Sequence, residues 1–356
     1  MKRFVHGGAV ARTARELGVP MGDILDFSAS INPLGVPDGV LAAARESLLE
    51  AVHYPEIDAA SLRGALAAHH GLPAENLLPG SGSTELLYLL PQVLRPRRAL
   101  LVTPAFSEYE RAFSQAQVQL DFFPLCPEDG FQLDPDKLLR ALPTDTDLIL
   151  LANPGNPSGA GVDPEVIETL ARQVREQAVV AVDEAFVDFC PRRSVLERVA
   201  GHGNLYVFRS LTKFYAIPGL RAGYLAGPAR GIARLAAARL PWSLSTPALA
   251  AASACLAEEE YRRRTLAAIP RLRDALAEGL IALGMRVFPG EANYLLARLL
   301  DGMPEAAFLA DGLRPKRILI RDCADFPPLD GRYLRVAVRS AGENRRLLQA
   351  LGELLS

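Results

Sequence analysis

The sequence predicts an α/β fold: a mostly parallel sheet sandwiched by helices, joined to a smaller α+β lobe. Between about Leu77 and Leu225, short apolar runs alternate with amphipathic stretches. Each run ends abruptly in polar, Gly or Pro residues, and the last hundred residues change pattern. Strands alternating with helices imply a parallel sheet covered on both faces.

The runs Ala99–Thr103, Leu148–Ala152, Val179–Val182 and Leu205–Phe208 are short and wholly apolar in their middles, as strands buried on both faces must be. Ser83–Leu94 and Asp163–Gln177 carry apolar residues at helical spacing between them. In the tail, Glu258–Leu283 reads as a long helix. Val287–Leu296, Ile318–Arg321 and Tyr333–Val338 read as strands, and Glu343–Leu355 as a closing helix. The expected division is a large domain over residues 45–245, with residues 1–44 and 246–356 forming the small one.

Composition excludes several classes of function. The 356-residue chain is 49% hydrophobic and 22% charged, within the ordinary range for globular proteins. A net charge of -2 and the lack of a basic run with interleaved aromatics argue against nucleic-acid binding. The opening residues carry no apolar signal core, and Pro247–Ala257 is too short for a bilayer, which needs about 20 residues. Cys126, Cys190, Cys255 and Cys323 lack metal-site spacing, so reduced thiols, no metal and a cytoplasmic location are expected.

In open parallel sheets, ligands gather beyond the carboxyl ends of the strands. The residues just past each strand are therefore informative. Gly80-Ser81-Gly82-Ser83-Thr84 opens a helix whose free N–H groups and dipole can hold a phosphate. Alone it is no more than a turn, without the Lys-Ser/Thr of a P-loop. Asp183 ends an apolar strand, where a carboxylate is costly unless partnered. It can cap a helix, or keep a pyridine nitrogen protonated so that the ring accepts electrons. Lys213 comes after a buried strand amid Ser210, Thr212 and Arg221, whereas Lys137, beside Asp134 and Asp136, reads as solvated. A lysine that attacks an aldehyde must be desolvated enough to become a neutral amine. Phe106 is either core or a face for a planar ring, and Asn156 either a turn residue or a donor to a ring oxygen.

Together, Asn156-Pro157-Ser158-Gly159, Asp183-Glu184-Ala185-Phe186 and Ser210-Leu211-Thr212-Lys213 with Arg221 resemble the fold-type I aminotransferases, over nearly the whole chain. That resemblance implies a seven-stranded sheet and pyridoxal 5'-phosphate as cofactor. It implies Lys213 as the catalytic residue that holds the cofactor. Ser81, Gly82, Ser83, Phe106, Asn156, Asp183, Ser210, Thr212 and Arg221 would complete the cofactor site. Tyr54 is similar to the residue that reaches the other subunit's cofactor phosphate, which implies a homodimer with shared sites.

Within that superfamily, His6-Gly7-Gly8, Asp26–Gly35, Arg209–Tyr224, Pro241-Trp242-Ser243 and Arg317–Ser340 resemble the threonine-phosphate decarboxylases of cobalamin biosynthesis. The implied substrate is a phosphorylated amino acid, touched by His6, Gly7, Ser30, Asn156, Arg321 and Arg335. Arginine binds carboxylate and phosphate through planar paired hydrogen bonds. Arg335 matches the position that usually takes carboxylate. Ser30 stands where that family more often has Asn, and Phe186 where many aminotransferases have Tyr. Rival readings are histidinol-phosphate aminotransferase, phosphoserine decarboxylase and, more remotely, a cofactor-sensing regulator. The last is disfavoured because the match begins near His6, leaving no room for a DNA-binding module.

Overall fold

The computed structural model describes residues 7–356, so His6 lies outside the described residues. In chain order the strands are β1 (Leu25–Asp26), β2 (Leu77–Gly80), β3 (Arg98–Thr103), β4 (Gln119–Pro124), β5 (Leu148–Ala152), β6 (Val179–Asp183) and β7 (Leu205–Ser210). They continue as β8 (Gly223–Ala226), β9 (Arg286–Val287), β10 (Tyr294–Arg298), β11 (Ile318–Leu319), β12 (Arg321–Asp322) and β13 (Tyr333–Ala337). Seven of them form one sheet in the order β2-β8-β7-β6-β5-β3-β4. Only β8 runs against its neighbours, pairing antiparallel with both β2 and β7.

The apolar runs are continuous because both faces of this sheet are buried. In β5, Leu148 and Leu150 join one core cluster, while Ile149 and Leu151 join the other. Successive side chains point to opposite faces, so each strand feeds two helical layers. A fully buried Leu, Ile or Val contributes about 1.5–3 kcal/mol, which makes these central strands the best anchors for a site at their ends.

Two sequence expectations need correction at element ends. The helix expected to reach Gln177 ends at Gln173, and the chain turns through Val174–Gln177 to enter β6. The strand expected over Val287–Leu296 is broken into β9 and β10. Pro289 and Gly290 interrupt it, and Gly290 packs against Gly159, with the Glu291 N–H donating to the Gly159 carbonyl at 2.8 Å. The break thus braces the loop after β5.

A second sheet, in the order β12-β13-β10-β9, lies outside the first. The run Ile318–Arg321 changes partner within itself. β11 pairs in parallel with β1, while β12 pairs with β13. The first of these ties the segment after residue 24 to the tail of the chain. Asn32 extends the tie: its amide donates to the Phe214 carbonyl and to Thr265, and its N–H donates to the Lys213 carbonyl. A capping box between Ser340 and Glu343 starts the last helix, Ala341–Leu355. No helix among the described residues is long and apolar enough to cross a membrane.

Candidate active site

A cavity of about 220 Å³ sits at the carboxyl ends of the parallel strands. Phe106, Asn156, Asp183 and Lys213 line it from the seven-stranded sheet, Gly7 and Ser30 from the early segment, and Arg321 and Arg335 from the second sheet. Most of the residues singled out from sequence therefore meet in one place, although three different parts of the chain supply them.

Lys213 lies in the single helical turn Leu211–Phe214 that leaves β7. Its Nζ donates to the Thr212 hydroxyl at 2.9 Å, and that hydroxyl is 2.8 Å from the Ser210 hydroxyl. Burial pulls the Lys213 amine down to about 8; Arg221 and Arg335 push the same way and Asp183 opposes them. A far larger share of this amine is therefore neutral near pH 7 than for an ordinary lysine, and only the neutral form is the nucleophile.

Asp183 and Glu184 are adjacent but face opposite sides of the strand end. Asp183 faces the cavity, accepting from the Tyr109 hydroxyl at 2.6 Å and the Ala185 N–H at 2.9 Å. Glu184 points away, accepting from the Val195 N–H at 2.6 Å and the Ser194 hydroxyl at 2.7 Å. Burial raises both carboxyls, that of Glu184 to about 7. For Asp183 the Tyr109 and Ala185 hydrogen bonds and the Lys213 charge pull back toward the ionised form. Tyr109 was not apparent from sequence, because it looks like one more apolar position of the helix Ser107–Gln115. Exchanging Tyr109→Phe removes one bond to a buried carboxylate, a loss of about 1.5–3 kcal/mol where the acceptor is charged. We expect kcat to fall roughly tenfold with the cofactor still bound, as steady-state rates and cofactor absorbance would show.

The phosphate cradle is built around a glycine. Helix Gly82–Leu94 opens with Ser83 and Thr84 on the cavity wall. Gly82 has φ +71°, and a Cβ there would come within 2.6 Å of Arg221 Nη2. Glycine thus allows the guanidinium to lie over the helix N-terminus, and N–H groups, dipole and arginine converge on one spot. The Ser81 side chain caps nothing; its N–H donates to Glu85 at 2.5 Å.

Arg335 is buried and donates to the Asn156 side-chain oxygen and, at 2.8 Å, to the Ser28 carbonyl, with its guanidinium 5.2 Å from the Tyr294 ring centre. Arg321 is its direct cross-strand partner, so the two guanidinium groups share one face. The Ser30 and Ser107 hydroxyls and Arg335 Nε are buried with no hydrogen-bond partner among the described residues. Ser30 and Arg335 were foreseen; Ser107 was not. Such orphans are costly, and polar ligand atoms would satisfy them. Gly7 approaches so closely that a Cβ would overlap the Ser28 carbonyl.

Tyr54, by contrast, does not line this cavity. It is 83% exposed and rests on Trp242, ring centres 4.9 Å apart. The four cysteines are all free.

These residues fit pyridoxal phosphate: an amine for the aldehyde, a buried carboxylate for the ring nitrogen, an aromatic face at Phe106, an amide at Asn156, and an N-terminal helix cradle with Arg221. Fold and site together define a pyridoxal-phosphate enzyme of the fold-type I class. Residues 22–351 match the family described as aminotransferase class I and II, and the chain belongs to that family. It is 39% identical to a threonine-phosphate decarboxylase of Salmonella typhimurium, over 99% of this chain and 96% of that protein. Among solved structures, L-threonine-O-3-phosphate decarboxylase from Porphyromonas gingivalis superposes with TM-score 0.82 at 28% identity, covering 93% of this chain and 99% of that one. Histidinol-phosphate aminotransferase from Clostridium acetobutylicum superposes with TM-score 0.86, also at 28% identity, with the same coverage of 93% and 99%.

Proposed function

We propose that this enzyme decarboxylates O-phospho-L-threonine, releasing carbon dioxide and (R)-1-aminopropan-2-yl phosphate, the aminopropanol unit of cobalamin. The observation that carries the reading is the pair of buried arginines, Arg321 and Arg335, paired across β12 and β13 in the wall of the cavity that Lys213 also lines. Two cations on one wall suit a substrate with two anionic ends, and the 39% identity over almost the full chain supports which substrate that is.

Bound pyridoxal phosphate supplies an aldehyde that condenses with the substrate amine and a protonated ring that accepts the electron pair of the bond broken at Cα. Lys213 would hold the cofactor, and its amine, when free, would return a proton to Cα. Asp183 keeps the ring nitrogen protonated, and Tyr109 keeps Asp183 in position. Arg335 takes the carboxylate, beside Asn156, while Arg321 takes the phosphate, with the Ser30 hydroxyl and Gly7 closing the same end. Binding energy from the substrate's remote phosphate would fix which bond at Cα is presented for cleavage, and with the carboxylate so presented the reaction would be loss of carbon dioxide rather than of a proton.

The reading includes a second copy of the chain. Leu48, Leu49, Val52, Tyr54, Leu240 and Trp242 are all exposed on a lone chain. Pairing that surface with its twin would bury them and bring Tyr54 to the neighbouring cofactor phosphate. It also includes two lobes, residues 45–245 and 1–44 with 246–356, and a cytoplasmic location, which the free cysteines support.

An end-product assay tests the reaction. Holoenzyme is offered O-phospho-L-threonine, and separately L-histidinol phosphate with 2-oxoglutarate. Carbon dioxide and aminopropanol phosphate from the first, with no glutamate from the second, are expected. Glutamate from the second alone would leave the fold and Lys213 in place and assign an aminotransferase. O-phospho-L-serine is the discriminating third substrate, since one methyl is worth only about 1–3 kcal/mol.

A further inference from the structure

Among the contacts that hold Arg321 are several from the turn that follows it. Its Nη1 donates to the Asp322 carbonyl, its Nη2 donates to the Asp325 carboxylate at 2.8 Å, and its Cζ lies 4.7 Å from the Phe326 ring centre. Arg321 and Phe326 line the inner, active-site cavity. Asp325 does not. With Ala324 and Pro327 it lines a second cavity of about 480 Å³, whose walls also include Leu101, Thr103, Ala105, Tyr109, Glu110 and Phe122. Phe106 and Ser107 belong to both cavities. The Arg321–Asp325 ion pair therefore stands in the partition between an outer, mixed apolar and polar pocket and the inner one.

The two partners differ in what separation costs them. The Arg321 side chain is 6% exposed and the Asp325 side chain 31%. A buried guanidinium without an anion pays a large desolvation penalty, whereas a carboxylate already nearly a third exposed pays much less when it lets go. Arg321 also keeps its orientation without Asp325, through the Asp322 carbonyl and the Phe326 face. We propose that Asp325 is a built-in competitor for the phosphate seat: it neutralises Arg321 in the free enzyme and yields that position to the incoming substrate phosphate. The proposal rests on Arg321 being the phosphate ligand. It assigns Asp325 a tuning role, lowering the affinity of the seat so that the phosphorylated product is released.

A carboxylate that competes in this way weakens phosphate binding, and its neutral isostere strengthens it. The experiment uses holoenzyme, in which the cofactor's own phosphate already fills the helix cradle, titrated with inorganic phosphate by calorimetry. In D325N, phosphate should bind about five-fold tighter, the scale of a partly exposed ion pair. The KM for O-phospho-L-threonine should fall by a similar factor with kcat not raised, the mark of binding shared by ground and transition states. D325A guards against a special effect of the amide and should shift binding in the same direction. Unchanged or weaker phosphate binding in both variants would show that Asp325 only orients Arg321 and would overturn the proposal. If phosphate binding tightens while the native enzyme releases no carbon dioxide from phosphothreonine, the role of Asp325 stands and the assigned reaction falls.

Discussion

Lys213→Ala is expected to abolish covalent capture of the cofactor and to lower turnover by a factor on the order of 10³ or more, since no other amine among the described residues lines the cavity. Borohydride reduction followed by intact-mass measurement is the direct check: native chain gains the mass of one cofactor and the variant does not. The size of the effect comes from how the structure prepares this amine. Burial pulls it down to about 8, so at neutral pH its neutral fraction is roughly 300-fold larger than that of an ordinary lysine near 10.5. The sign fixes a second readout. Capture of pyridoxal phosphate by apoenzyme should speed up as pH rises toward 8 and level off above it, falling about tenfold per unit below. A rate still climbing steeply between pH 9 and 10 would mean that the amine is not depressed.

How much of this was legible in the sequence depended on the kind of signal. Strands β3, β5, β6 and β7 were visible because both their faces are buried, which leaves unbroken apolar runs. β4 was not singled out, since as an edge strand it interleaves exposed Gln119 with half-buried Leu120 and Phe123. β2 and β8 were hidden differently: Pro79, Gly80 and Gly223 sit in them and read as turn residues. Gly223 is there for close approach, because a Cβ would meet the Ser83 N–H nitrogen at 2.6 Å.

Lys213, Asp183 and Asn156 were legible because polar groups immediately after buried strands have few other reasons to be there. Arg321 and Arg335 became meaningful only through resemblance; an arginine in a peripheral strand carries no local mark of being buried. Tyr109 and Asp325 escaped for a further reason. Tyr109 acts on Asp183, 74 residues further on, which spacing in sequence does not encode; Asp325 is only four residues from Arg321, but the two lie in a strand and the turn after it, where no helical periodicity marks the pair. The Asp183 carboxylate was foreseen, but its environment was not.

That environment makes Asp183→Asn the informative partner to the lysine variant. The side chain lies at the end of β6, desolvated enough that burial raises its carboxyl, with Tyr109 and Ala185 restoring part of the balance. A carboxylate in this position gains most from a cation placed against it, and a protonated pyridine nitrogen is such a cation. The amide keeps the shape and removes the charge. Lys213 is untouched, so cofactor capture by the mass test should persist. Turnover should nevertheless fall by about 10²–10³, the usual scale for losing one preorganised charge contact, because the ring can no longer draw electrons from Cα. Stability of the apoprotein should change little, since a buried charge has been exchanged for a neutral group, whereas the cofactor should add less to stability than it does in the native chain. Tyr109→Phe should then add almost nothing to Asp183→Asn, because the hydroxyl acts through the carboxylate; full additivity in that double-mutant cycle would detach Tyr109 from Asp183 and give the phenol a separate role.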